Sequence, residues 1–196
     1  MAYMIGASGS VLFVLVFLLD GWTRPGYSSV RHPVSALALG PRGWIQTTNF
    51  LICGTAITIG AIGIAVRGDS LLLGTGTAIF GLALVASGVF PMDPMRGYPP
   101  GSPEDDPTDF TTQHKLHDYA GVVVFSGIPA VAFVAAFVLS GALWTILSGV
   151  VGVALTVGFI AFGTAWENES PRVGLLQKVI IILGWFWLAA VFLHFT

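Results

Sequence analysis

Residues 119–166 read YAGVVVFSGIPAVAFVAAFVLSGALWTILSGVVGVALTVGFIAFGTAW and contain no Asp, Glu, Lys or Arg. A transmembrane helix needs about 20 apolar residues, because each residue advances the helix by about 1.5 Å and the hydrocarbon core of a bilayer is about 30 Å thick. The 48 residues of this stretch therefore supply two membrane-spanning helices, with the turn between them near Ser140 and Gly141.

Four further uncharged runs, at 1–19, 43–66, 70–92 and 179–196, are each close to the length of one span. Charged residues make up 9% of the chain and the mean hydropathy is +0.84, whereas a soluble domain carries about 25% charged residues. The runs are continuously apolar and lack the two-residue alternation of transmembrane strands. The sequence therefore predicts a single all-α domain, an integral membrane bundle of six transmembrane helices. The predicted spans are about 2–19, 44–66, 70–91, 117–139, 143–165 and 174–195.

The charged residues are concentrated in the connections that follow the first, third and fifth spans. These regions hold nine of the ten acids, seven of the eight Lys and Arg residues, and three of the four histidines. In a six-span protein these three connections lie on the same side of the membrane. The pattern predicts polar loops clustered on one face, where a ligand is bound or converted. The net charge of −2 and the lack of a basic patch exclude a nucleic-acid partner, so membrane lipids are the expected partners.

The sharpest local pattern is His114-x-x-His117-Asp118 at the start of the fourth span. Residues three and four apart share one face of a helix, so we expect the three side chains to project together at the membrane boundary. Imidazole and carboxylate groups are zinc ligands, and a carboxylate also orients a ligand histidine. The pattern predicts either a divalent metal site, with zinc as an example, or polar residues that hydrogen-bond to the loop backbone at the start of a helix that Thr111, Thr112 or Asp109 can cap.

A second pattern, His32-Pro33-Val34-Ser35, lies in the first polar connection. A histidine three residues before a serine can serve as the base that activates the serine as a nucleophile. The alternative interpretation is that one of the two side chains caps a short helix that dips back toward the bilayer.

Asp93 directly follows the third span, and Lys178 lies about one turn into the sixth. An acid close to the membrane is costly unless it is paired, and it can act as a ligand or a proton carrier. The other interpretation of Asp93 is a structural ion pair, with candidate partners Arg24, Arg31 and Arg96. Lys178 either extends to the interface or pairs with Asp118 or Glu167 inside the bundle.

Several of these motifs together resemble the domain of unknown function 998 family. They include Arg24-Pro25-Gly26-Tyr27, Arg31-His32-Pro33-Val34-Ser35, Phe90-Pro91-Met92-Asp93-Pro94, the His114-x-x-His117-Asp118 pattern and Gly174-Leu175-Leu176-Gln177-Lys178. The resemblance covers nearly the whole chain. It implies a prokaryotic multi-pass membrane protein with about six helices, and it implies no activity.

The orientation in the cell membrane is predicted differently by two signals. Seven of the eight Lys and Arg residues lie on the loop face, and the positive-inside rule would place that face in the cytoplasm. The resemblance implies cytoplasmic termini and an external polar face, although neither terminus of this chain is basic. Because Arg and Lys beside acids can be site residues, we expect the polar loop face to be extracytoplasmic.

Two functions fit these patterns. One is an intramembrane enzyme that acts on a lipid or isoprenoid-like substrate, by metal-assisted hydrolysis or by acid–base chemistry. Its candidate catalytic residues are His117, Asp118, Asp93, His32 and Ser35, and its candidate metal ligands are His114, His117 and Asp118. The other is a non-enzymatic membrane module that binds or transports a lipid or a small hydrophobic ligand.

Overall fold

The computed structural model of the chain describes residues 1–67 and 70–196. Six long helices account for most of these residues, and the described part of the chain contains no strand. They are α1 (Ala2–Thr23), α2 (Gly43–Val66), α3 (Leu71–Val89), α4 (Thr112–Val138), α5 (Ala142–Glu167) and α6 (Val173–His194). Each is long and apolar enough to cross a membrane, with a mean hydropathy between 1.8 and 2.3. The prediction of an all-α bundle with six spans is confirmed.

Each helix packs against its neighbours along the chain, and α6 also packs against α1, so the six helices form a closed ring. Helix α5 contributes the fewest buried residues to the ring. A short connection joins α4 to α5, where Gly141 adopts a φ of 98° that favours glycine. The ring closure brings the first, second and third polar connections together at one end of the bundle.

A 3-10 helix, Val34–Ala38, lies within the first polar connection. Val34, Ala36 and Leu37 on this helix are buried, and the segment contacts α1, α2 and α6. The segment is thus held inside the end of the bundle. The predicted cap by His32 or Ser35 is wrong, because the N-cap is Pro33 and neither side chain caps the helix.

A buried charge cluster at the end of α1 fixes this segment. The carboxylate of Asp20 accepts hydrogen bonds from Arg24 at 2.5 Å and from Arg42 at 2.6 Å. The Arg24 guanidinium also donates to the backbone carbonyls of Leu37 and Leu39, at 3.0 and 3.1 Å. One buried arginine therefore connects the end of α1 to the 3-10 helix and the residue that follows it.

The first turn of α6 holds the other end of the same connection. Gly174 lies so close to the carbonyl of His32 that a Cβ at this position would overlap it. The amide of Leu175 donates to the carbonyl of Val30 at 2.9 Å, and the ammonium of Lys178 donates to the His32 carbonyl at 2.8 Å. Lys178 therefore faces inward, but it binds the backbone rather than the predicted Asp118 or Glu167, and it serves to position the backbone before Ser35.

Candidate active site

A cavity of about 330 Å³ lies within the end of the bundle that carries the polar connections. Ligand pockets in proteins have volumes of about 300–1,000 Å³. Most of the wall is apolar, and its large side chains include Phe13, Phe50, Phe125, Phe159, Phe162 and Trp185. Polar side chains are confined to the end that meets the 3-10 helix and the first turns of α4 and α6. The cavity thus combines an apolar chamber with a small polar site.

Ser35 and His117 meet in the wall of this cavity. The Oγ of Ser35 lies 2.9 Å from the Nε2 of His117, although the two residues are 82 positions apart in the chain. The Nδ1 of His117 lies 2.7 Å from the carbonyl oxygen of Phe90 and 3.1 Å from that of Ser87. His117 is buried, whereas Ser35 is partly accessible.

These contacts determine which nitrogen of His117 carries the proton. A carbonyl oxygen only accepts hydrogen bonds, so Nδ1 must be the donor to Phe90 and Ser87. In the neutral ring, Nε2 is then unprotonated and accepts the hydrogen bond of the Ser35 hydroxyl. A serine hydroxyl that donates to the free nitrogen of an oriented histidine is the arrangement that activates a serine nucleophile.

Two features of the sequence produce this contact. The Pro33 backbone is extended, with φ −68° and ψ 161°, and it leads directly into the 3-10 helix that carries Ser35. Thr111, one of the three predicted candidates, caps α4 by accepting a hydrogen bond from the His114 amide at 3.2 Å. His117 therefore lies in the second turn of α4, and it faces the last turn of α3 and its C-cap.

His114, Asp93 and Asp118 form a second polar cluster beside this pair. The amide of Asp93 donates to the Nδ1 of His114 at 2.8 Å, so the proton of the neutral ring is on Nε2. That nitrogen lies 3.3 Å from the carboxylate of Asp118. The Asp93 carboxylate accepts two hydrogen bonds from Thr111, at 2.7 and 2.8 Å. Partial burial alone raises the pKa of Asp93, but the bonds from Thr111 outweigh it and hold this pKa below its usual value.

The prediction that Asp93 pairs with Arg24, Arg31 or Arg96 is wrong, because each of these arginines binds another acid. Arg24 pairs with Asp20, Arg31 with Glu104, and Arg96 with Asp106. Asp93 instead joins the start of α4 to the connection that precedes it.

The residues predicted as metal ligands are divided between the two clusters. His114 and Asp118 are in contact, but both ring nitrogens of His117 bind Ser35 and the backbone carbonyls. Within residues 1–67 and 70–196, no three His, Cys, Asp or Glu side chains are arranged so that they could hold a metal ion. The alternative prediction, histidines that bind the loop backbone at a helix start, describes both His114 and His117.

His32 is held away from Ser35. Its Nδ1 accepts a hydrogen bond from the amide of Ser28 at 3.0 Å, and its ring lies between Tyr27 and Tyr98, with centroids 5.5 and 5.1 Å away. Burial, together with the positive charges of Arg31 and Lys178, lowers the pKa of His32. In the described residues, the histidine in contact with Ser35 is therefore His117 rather than the predicted His32.

Gln177, about one turn into α6, is a polar residue of this site that no sequence pattern predicted. It is buried, it lines the cavity, and its Oε1 accepts a hydrogen bond from the amide of Val34 at 2.7 Å. The signal available in the sequence was its position beside Lys178, one turn into an apolar span, where an amide side chain needs a partner.

The six apolar helices and the buried polar site at one end of the ring define a multi-pass membrane protein. The family model described as "Protein of unknown function (DUF998)" matches residues 7–194, so the chain belongs to this family. The match confirms the resemblance that the motifs indicated. Comparisons with curated proteins and with solved structures found no match.

Proposed function

We propose that the protein is an intramembrane serine hydrolase that cleaves a carboxylic ester of a membrane lipid or of a similar long-chain molecule. The observation that carries the proposal is the 2.9 Å contact between Ser35 Oγ and His117 Nε2 in the wall of an apolar cavity. A nucleophile and its base are in contact, the base is oriented by a third group, and the space beside them fits an apolar chain.

The reaction follows the geometry of the pair. Ser35 Oγ attacks the ester carbonyl carbon while its proton passes to His117 Nε2, and one electron pair of the C=O bond moves to the carbonyl oxygen. When this pair returns, the bond to the alcohol oxygen breaks, and His117 gives its proton to the departing alcohol. A water molecule then attacks the acyl carbon, again losing a proton to His117, and the acid is released as Ser35 regains its proton. The carbonyls of Phe90 and Ser87 hold the ring in the required tautomer.

The substrate is expected to enter from the bilayer between α4 and α5. Gly121 and Val122 on α4 line the cavity; Gly121 is half-buried and Val122 is exposed. Gly163 on α5 lines the same cavity, and a Cβ at Gly121 or Gly163 would meet no atom within 4 Å. The two helices thus leave open space at the level of the Ser35–His117 pair.

Replacing Ser35 by alanine is expected to reduce ester hydrolysis at least about 10³-fold, because the nucleophile is lost. The measurement is the release of p-nitrophenol from p-nitrophenyl esters of increasing acyl length by the full chain in detergent. Ser126→Ala is the matched control, since Ser126 is an exposed serine of α4 that donates to the carbonyl of Val122; its rate should stay within about twofold of the wild type. Hydrolysis that survives in Ser35→Ala would contradict the proposal.

A second candidate function is lipid binding without conversion. It is favoured by the apolar wall, which extends from the polar end to Phe13 and Trp185. In this case Ser35 and His117 only close the end of the bundle. A protein that retains a lipid through purification and hydrolyses no ester would support this function.

We also propose that the polar loop face is extracytoplasmic. Asp105 is exposed on this face and Arg67 is exposed on the opposite one, while the only cysteine, Cys53, is buried. In a Cys53→Ala background, Asp105→Cys should react with a membrane-impermeant maleimide on intact cells. Arg67→Cys should react only after the cells are permeabilised, and the reverse pattern would place the loop face in the cytoplasm.

A further inference from the structure

The side-chain amide of Gln177 is held beside the proposed nucleophile with its nitrogen unused. Its oxygen is identified by the contact with Val34, because a backbone N–H can only donate and therefore binds the amide oxygen rather than the nitrogen. The Nε2 of Gln177 forms no hydrogen bond with any residue that the structure describes. Gln177 is only 5% exposed, so this nitrogen is an unpaired donor on a buried side chain.

The partner of Gln177 connects it to Ser35. Val34 immediately precedes Ser35, and the amide oxygen of Gln177 is fixed to the backbone of Val34 at 2.7 Å. Gln177 and Ser35 both line the same cavity. An amide N–H without a protein partner at the wall of a cavity is free to donate a hydrogen bond to an atom of a bound ligand.

We propose that Gln177 is the oxyanion donor of the site, an inference that rests on the proposed serine hydrolase function. When Ser35 attacks, an electron pair of the ester C=O bond moves to the carbonyl oxygen, and the Nε2–H of Gln177 donates to the negative charge that forms. Side-chain amides serve as oxyanion donors, and the loss of one such donor lowers kcat by about 10²–10³-fold. The group that binds here is therefore the carbonyl oxygen of an ester, rather than a charged head group.

A purely structural role is the competing explanation, in which Gln177 serves only to accept the hydrogen bond of Val34. Gln177→Glu separates the two roles, because the glutamate keeps an acceptor for Val34 and replaces the NH₂ group with a second oxygen. Gln177→Met has a similar length and removes both the acceptor and the donor.

The experiment measures kcat and KM for p-nitrophenyl ester hydrolysis by the wild type and both variants between about pH 6 and pH 9. The proposal predicts that kcat falls by about 10²-fold or more in both variants, with KM changed by less than about threefold. It also predicts that the Gln177→Glu rate, divided by the wild-type rate at the same pH, rises as the pH falls, because a protonated carboxyl group can donate.

Two outcomes would overturn the inference about Gln177. A Gln177→Glu protein with wild-type kcat, beside an impaired Gln177→Met protein, would assign Gln177 to the support of Val34 alone. Wild-type kcat in both variants would remove any role in the reaction. In either case, wild-type hydrolysis that Ser35→Ala removes would leave the proposed function intact, whereas the absence of Ser35-dependent hydrolysis would show that the proposed function itself is wrong.

Discussion

His117→Ala is expected to lower the rate of ester hydrolysis by about 10²–10⁴-fold, because the only base in contact with Ser35 among the described residues is lost. Without it, the Ser35 hydroxyl has no acceptor for its proton as it attacks. The measurement is kcat for p-nitrophenyl ester hydrolysis by the full chain in detergent. Added imidazole is expected to restore part of the rate, since the substitution leaves space where the ring was.

The matched control is His194→Ala. His194 ends α6 at the opposite end of the bundle, where its ring contacts Trp144 and Phe195. Its substitution should change kcat by less than about threefold. If His117→Ala and His194→Ala have equal rates, His117 is not the base.

The largest expected effect on stability is that of Asp20→Ala, which should lower the free energy of unfolding by about 3–5 kcal/mol. The side chain of Asp20 is 2% exposed and that of Arg24 is 4% exposed. Without the carboxylate, the buried guanidinium of Arg24 has no counter-charge, and Arg42 loses the same partner. Denaturant unfolding of the full chain in mixed micelles measures the effect.

Glu104→Ala is the control for Asp20→Ala. Glu104 pairs with Arg31 at 2.9 Å, but the two side chains are 73% and 51% exposed. Exposed pairs of this kind contribute about 0–1 kcal/mol. Equal losses of stability in the two variants would mean that the Asp20 cluster does not hold the 3-10 helix in place.

The helices could be predicted from the sequence because uncharged length alone identifies a membrane span. The predicted spans differ from the helices by at most five residues at any end. The two largest differences arise where polar or charged residues lie at the end of a helix. Helix α1 continues past Asp20 to Thr23, since Asp20 is paired with the buried Arg24 and with the partly exposed Arg42. Helix α4 begins at Thr112, because Thr111 caps a polar first turn.

Individual candidate residues could be named from the sequence, but their pairing could not. Ser35 and His117 were both candidates, yet their contact depends on the closure of a six-helix ring that no local pattern encodes. The metal pattern failed for a geometric reason. His117 and Asp118 are consecutive, so they project about 100° apart on α4, and only His114 and Asp118, four residues apart, meet.

The assignment of His32 as the base of Ser35 failed for a different reason. Closeness in sequence suggested the pair, but Pro33 is extended and separates the two side chains. The ring of His32 is occupied by the amide of Ser28 and by two tyrosine rings. Spacing along the chain predicts which side chains meet only within a helix. His32 and Pro33 precede the 3-10 helix, which begins at Val34.

The most direct test of the Ser35–His117 pair is covalent labelling with a fluorophosphonate, followed by mass mapping of the modified peptide. Phosphonates of this kind react with a serine that a neighbouring base activates. We expect one adduct on Ser35 in the wild-type protein, none in Ser35→Ala and strongly slowed labelling in His117→Ala. A wild-type protein that remains unlabelled, or an adduct on any residue other than Ser35, would contradict the account.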